Sequence, residues 1–127
     1  MTENEIAKEV VDVAYHIHRK LGPGLLESVY EAIMASELGR RGLKSVRQQP
    51  VPVVYDSVRL KVGFRADLVV EDKVVVEIKS IEAIAPIHKM QVLTHLRLMN
   101  RRLGLLINFN EALIKNGIIR VVNGLQE

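Results

Sequence analysis

The chain has 127 residues, 48% of them apolar and 26% charged, a composition that suits one compact domain, residues 1–127, with a single core. It contains no cysteine, which excludes disulfides, thiolate zinc sites and a cysteine nucleophile. A formal charge of +3 permits nucleic acid as a partner without announcing it. With only 4% aromatic residues and no tryptophan there is no base-stacking platform, so contact would run through the sugar–phosphate backbone. No apolar run is long enough to span a bilayer. The acidic start Met1-Thr2-Glu3-Asn4-Glu5 lacks the apolar region of a secretory signal, so a cytoplasmic protein with no membrane partner is expected.

Thr2-Glu3-Asn4-Glu5 has the spacing of a capping box, and Ile6, Val10, Ala14, Ile17 and Leu21 then recur at helical intervals, predicting a first helix to about Lys20. Leu21-Gly22-Pro23-Gly24 breaks it. A second helix follows, with Leu26, Val29, Ile33, Ala32 and Leu38 as its expected core face and Gly42 as a left-handed cap. Glu27, Tyr30, Glu31 and Met34 are expected off that stripe. Val46 to Tyr55 reads as an edge strand because Pro50 and Pro52 interrupt it, and Val58 to Val62 reads as another strand.

The next segment carries most of the chemistry. Arg65-Ala66-Asp67-Leu68-Val69-Val70 and Val74-Val75-Val76-Glu77-Ile78-Lys79 are apolar, β-branched runs joined by Glu71-Asp72-Lys73, and they read as a hairpin of buried strands. A turn centred on Asp72 makes Asp67 and Glu77 direct cross-strand partners, with Lys79 on the face of Glu77 and Val74, Val76 and Ile78 on the other. Two like charges at that distance repel, and a divalent cation would relieve them. Lys79 would add positive charge where a reacting phosphate gathers negative charge, or hold the attacking water. The alternative is a Glu-Lys ladder at a solvated strand end.

Pro86 fits the first turn of a third helix with Ile87, Met90, Leu93, Leu96 and Met99 as its expected core face. His88, Gln91 and His95 share the other face and are expected either to look toward the carboxylates or to be solvated. Leu103 to Phe109 reads as a buried strand, and Asn116-Gly117 as a turn before Ile118 to Val122. The predicted fold is an α/β domain: two N-terminal helices, then a mixed β-sheet flanked by helices, because hairpin strands followed by a helical crossover exclude a doubly wound parallel sheet. No glycine-rich phosphate loop is present, so no nucleotide cofactor is expected.

An Asp on one strand, Glu-x-Lys on the next and a following helix with Gln91 resemble the restriction-endonuclease-like core of the PD-(D/E)xK nuclease superfamily. Gly24-Leu25-Leu26-Glu27-Ser28-Val29-Tyr30 resembles the signature of the GxxExxY family within it, as do the stretches His18 to Gly24, Pro86-Ile87-His88 and Leu105 to Phe109. The resemblance covers nearly the whole chain. It implies a metal-dependent nuclease acting on nucleic acid, with DNA the expected substrate. Asp67, Glu77 and Glu27 would hold Mg²⁺ or Mn²⁺, Lys79 would assist the nucleophilic water, and Gln91 would orient a phosphate or a water. Tyr30, His88 and His95 would support the site. Ala66 replaces the superfamily's proline, which supplies no ligand, and His95 stands where a tyrosine is often found. A catalytically silent nucleic-acid-binding or scaffolding domain and an oligomerisation module are the other readings. A homodimer would enlarge the binding surface.

Overall fold

The computed structural model describes residues 1–126. The elements run α1 (Glu3–Leu21), α2 (Glu27–Arg40), β1 (Ser45–Tyr55), β2 (Val58–Val70), β3 (Val74–Lys79), α3 (Pro86–Met99), β4 (Leu103–Asn108), a 3₁₀ turn (Ile114–Gly117) and β5 (Ile118–Val122). The sheet has five strands in the order β1-β2-β3-β4-β5. Only β3 and β4 are parallel, and α3 is the crossover such a pair requires. The mixed α/β domain expected from the sequence is the one observed, with β1 at an edge.

Two apolar layers fix this arrangement. On one face α1 and α2 cover Leu68, Val70, Val74, Val76, Ile78, Leu103, Leu105 and Ile107. On the other, Val92 and Leu96 of α3 pack on Ala66, Val69, Val75, Leu106 and Val121. Gly104 lets α3 come this close, because a Cβ there would lie 2.8 Å from Val92 Cγ1. Helix α1 begins at the expected capping box, with Glu5 N donating to Thr2 Oγ1 at 3.2 Å and Thr2 N to Glu5 Oε1 at 2.9 Å. Pro86 occupies the first turn of α3.

Several expectations need correction. The buried face of α2 is Tyr30, Glu31, Met34 and Leu38, whereas Leu26 and Val29 are exposed. Apolar residues occur around much of this helix, so periodicity could not choose a face; the aromatic stack of Tyr30 on Phe109, with centroids 4.3 Å apart, did. In α3 the buried residues are Val92 and Leu96; Leu93 and Met99 are partly buried, and Ile87 and Met90 are exposed. Leu21, the last residue of α1, is also exposed. Finally, Val58 to Val62 is no separate strand but the outer part of β2.

That long β2 has a consequence for shape. It pairs with β3 through Leu68, Val69 and Val70, so among the described residues its remaining ten residues, numbers 58–67, have β1 as their only strand neighbour. A two-stranded ribbon therefore extends beyond the sheet.

Candidate active site

The site forms where that ribbon leaves the sheet. In a regular strand residues i and i+2 share a face, yet Ala66 packs on the α3 side and Leu68 on the α1 side. Alternation is thus lost at Asp67. The β2–β3 ladder of Val70↔Val74, Val69↔Val75 and Leu68↔Val76 stops one step before Asp67 would face Glu77. Across from Asp67 on β1, between Arg47↔Leu68 and Gln49↔Ala66, Gln48 has a φ of 51°, a left-handed conformation rarely adopted by a side-chain-bearing residue within a strand. The turn and register agree with the sequence reading. The regular same-face pair does not, because the sheet is creased at this step.

The crease gives Asp67 two donors. Its Oδ2 accepts from Ile78 N at 2.8 Å, and its Oδ1 from Gln48 Nε2 at 3.2 Å. With Glu27, Ser28, Glu31, Gln48 and Ile78 it lines a cleft of about 240 Å³. Glu77, buried, follows the parity of Val75 toward α3, where His95 Nδ1 donates to its Oε1 at 3.1 Å. The His95 ring is itself stacked on Phe64, with centroids 3.8 Å apart. Burial pushes the Asp67 carboxyl up from its ordinary 3.8 to about 6; the Ile78 N–H opposes the rise and the neighbouring Glu77 charge adds to it. Desolvation and a like charge both disfavour the ionised form.

Lys79 ends β3, partly buried, in register with Asn108 of β4, and its ammonium has no ion pair or hydrogen bond among the described residues. The turn after it is fixed from two sides. Asn108, fully buried, accepts from Ile81 N and Asn110 N and donates to Ile81 O. From the helical side, Glu27 Oε2 accepts from Ser80 N at 3.0 Å and Leu25 O accepts from Ser80 Oγ at 2.7 Å.

The spacing Gly24-x-x-Glu27-x-x-Tyr30 thereby acquires a physical meaning. Gly24 adopts a φ of 100° that other residues resist, Glu27 starts α2 and holds Ser80, and one turn later the Tyr30 hydroxyl donates to Gly22 O at 2.6 Å while accepting from Leu25 N at 3.2 Å. All three residues act on the loop that meets the end of β3.

The structure does not bring every expected residue to the carboxylates. His88 does not face them: its Nδ1 accepts from Ala85 N at 2.9 Å, capping its own helix. Gln91 is exposed with no partner among the described residues. Among those residues, no three His, Cys, Asp or Glu side chains are gathered as a metal-holding group. What is assembled is the pair Asp67 and Glu77, with Lys79 beyond it and the unengaged Oε1 of Glu27 on the cleft wall.

Two neighbours were not singled out from the sequence as part of this site. Glu31 is a buried carboxylate that accepts from Arg47 Nε at 3.0 Å and from Gln48 Nε2 at 2.5 Å. Its position one helical turn after Glu27 was a usable signal. Gln48, which ties Glu31 to Asp67, had none, because no sequence pattern marks a glutamine for positive φ. The strain is measurable. Gln48→Ala and Gln48→Gly lose the same amide, but only glycine relieves the left-handed backbone, so the glycine variant is expected to be the more stable by about 1 kcal/mol. Paired denaturant titrations test this; an alanine variant of equal or greater stability would mean that the backbone at Gln48 is unstrained.

A family model for the PD-(D/E)XK nuclease superfamily matches residues 4–121. Neither a curated protein nor a solved structure matches the chain.

Proposed function

The chain belongs to the PD-(D/E)XK nuclease superfamily, and from that premise we propose that it is a Mg²⁺- or Mn²⁺-dependent phosphodiesterase hydrolysing DNA, within the GxxExxY family. One observation carries the proposal: Asp67 and Glu77 are desolvated against one another at a strand crease, with an unpaired lysine two residues on. Hard oxygen donors, Asp67 on the cleft wall and the buried Glu77 next to it, suit a small divalent cation that completes its shell with water and phosphate oxygens. A closed structural site would need more ligands than are gathered here. The donor set therefore fits the superfamily's usual metal.

In this reading Asp67 and Glu77 would hold the cation, and Glu27 would join them through its free oxygen. When bound, the cation neutralises phosphate charge and lowers the pKa of water. The chain's own residues do the rest. Ile78 N–H and the Gln48 amide fix both Asp67 oxygens in direction, while His95 fixes one oxygen of Glu77. The Lys79 ammonium faces charge developing on the phosphate and positions the attacking water. Gln91 reaches the substrate phosphate only in the complex. Among the described residues no helix is long and apolar enough to cross a membrane, and in this reading the chain acts as one domain.

The test is cleavage of mixed DNA and RNA substrates in Mg²⁺ and Mn²⁺ by purified protein beside Lys79→Met prepared identically. Metal-dependent cleavage by the parent, reduced on the order of 10²-fold or more in the variant, is the expected result. Equal cleavage in both identifies a contaminant. No cleavage of any substrate, together with no metal binding, overturns the proposal in favour of a silent nucleic-acid-binding domain.

A further inference from the structure

We propose that the β1–β2 ribbon is an electrostatic arm that lies along the nucleic-acid backbone and feeds it to Asp67; this rests on the nuclease reading of the site. The argument begins with charge. Between residues 45 and 66 the ribbon carries four cations, Arg47, Arg59, Lys61 and Arg65, against the single anion Asp56. Its balance of +3 equals the formal charge of the whole chain, so the other residues are neutral in sum. Arg47 is committed to Glu31. Arg59, Lys61 and Arg65 are exposed and have no ion pair or hydrogen bond among the described residues, unlike Arg41 and Arg101, which are held by Glu9, Asp12 and Asp72. Free surface cations held at a fixed spacing are what a polyanion binds, with counterion release as the driving force.

Placement supplies the second step. All three cations lie on the strand that carries Asp67, at alternate positions interrupted by Gly63. Arg65, two residues before Asp67, points away from the side on which Phe64 meets His95 and Ala66 meets α3. That is the side of the cleft into which Asp67 opens. From Arg59 to Asp67 the strand spans roughly 26 Å at about 3.3 Å per residue, comparable to seven or eight phosphates at about 3.4 Å of axial rise along one strand. The interruption at Gly63 is structural: three residues, Lys61 to Gly63, stand against Pro52, and a Cβ at Gly63 would lie 2.0 Å from Val53 Cγ2. The ribbon is bent there, as β-bulges bend strands.

The ribbon also exposes Tyr55, Val58 and Leu60. Tyr55 opposes Val58 and Val53 opposes Leu60, so these residues share the face opposite Arg59. A second copy of the chain is the competing occupant of the ribbon, and the experiment separates the two.

Binding of labelled duplex DNA by the full chain is measured in EDTA, where no cleavage occurs, across about 50 to 200 mM salt. The variants are Arg59→Gln/Lys61→Gln/Arg65→Gln, the single Arg59→Gln, and Leu60→Ser. The triple change is expected to lower the slope of log K against log salt by about 2 to 3, the single change by about 1, and Leu60→Ser to leave the slope unchanged. Thermal unfolding checks that exposed substitutions leave the fold intact. A slope unaltered in the triple variant overturns the arm. So does cleavage in metal by a parent that does not bind in EDTA, and this outcome leaves the nuclease reading standing. Loss of affinity in Leu60→Ser, with a fall from dimer to monomer mass, overturns it in favour of self-association.

Discussion

Asp67→Asn is expected to abolish metal-dependent cleavage, by on the order of 10³-fold, and at the same time to stabilise the metal-free protein at pH 7 to 8. The two effects have one cause. The Asp67 carboxyl, pushed up to about 6 by burial and by Glu77, binds in the folded chain a proton that the unfolded chain has already released. Stability contributed by this group therefore falls as pH rises from about 3.8 to about 6, and above that the full penalty of an ionised, desolvated carboxylate is present. A shift of this size would correspond to about 3 kcal/mol, and partial exposure reduces it to about 1 to 2 kcal/mol. Asparagine avoids the penalty but presents one acceptor where aspartate presents two, so one bond, to Gln48 or Ile78, weakens. The expected net gain is about 1 kcal/mol at pH 7.5 and none at pH 4. Addition of Mg²⁺ or Mn²⁺ should stabilise the parent by mass action and leave the variant unmoved. Denaturant midpoints at the two pH values, with and without metal, test this. A variant less stable than the parent at pH 7.5 would make Asp67 a structural residue, and unchanged cleavage would place it outside the chemistry.

Tyr30→Ala should cost about 3 to 5 kcal/mol, a large share of the 5 to 15 kcal/mol typical of a domain. Tyr30 is fully buried and stacked on Phe109, and its hydroxyl closes the loop from Gly22 to Leu25. Tyr30→Phe separates the two contributions. It keeps the ring and loses the hydroxyl, leaving Gly22 O and Leu25 N short of a partner, for an expected loss of about 1 to 2 kcal/mol. The loop then grips Ser80 less firmly, and Ser80 adjoins Lys79. Cleavage should accordingly fall in Tyr30→Phe by about 10- to 100-fold, as it does when groups supporting a site are removed. Unfolding and kinetics on the same preparations test the pair; a phenylalanine variant with parental stability and rate would mean that the hydroxyl latch has no bearing on the site.

Local rules account for what is legible in the sequence. The capping box at Thr2 and Glu5, the break at Gly22-Pro23-Gly24, Pro86 opening α3 and the three-residue turn at Glu71-Asp72-Lys73 all act over a few residues, and each lies where its chemistry puts it. The separated motifs also sufficed to suggest the superfamily. Faces were harder to read. Helices α2 and α3 carry apolar residues on more than one side, so which side is buried depends on the sheet each helix meets. For the same reason Met90 and Leu26 are exposed, while Tyr30 and Val92 lie in the core.

The elements, their order and the nearness of Asp67 to Glu77 are written in local sequence, because hydrogen bonding, turn conformation and strand pairing across a short hairpin depend on neighbours in the chain. Packing of the layers sets the crease at Asp67, the left-handed Gln48, the buried Glu31 and the grip of Glu27 and Leu25 O on Ser80 after Lys79. Those features arise where β1, β2, β3 and α2 meet, and the carboxylates there take partners distant in sequence, Glu31 from Arg47 and Gln48 and Asp67 from Gln48 and Ile78. Local patterns cannot specify such partners, since hydrogen bonding between them is set by how the layers pack and not by residue spacing.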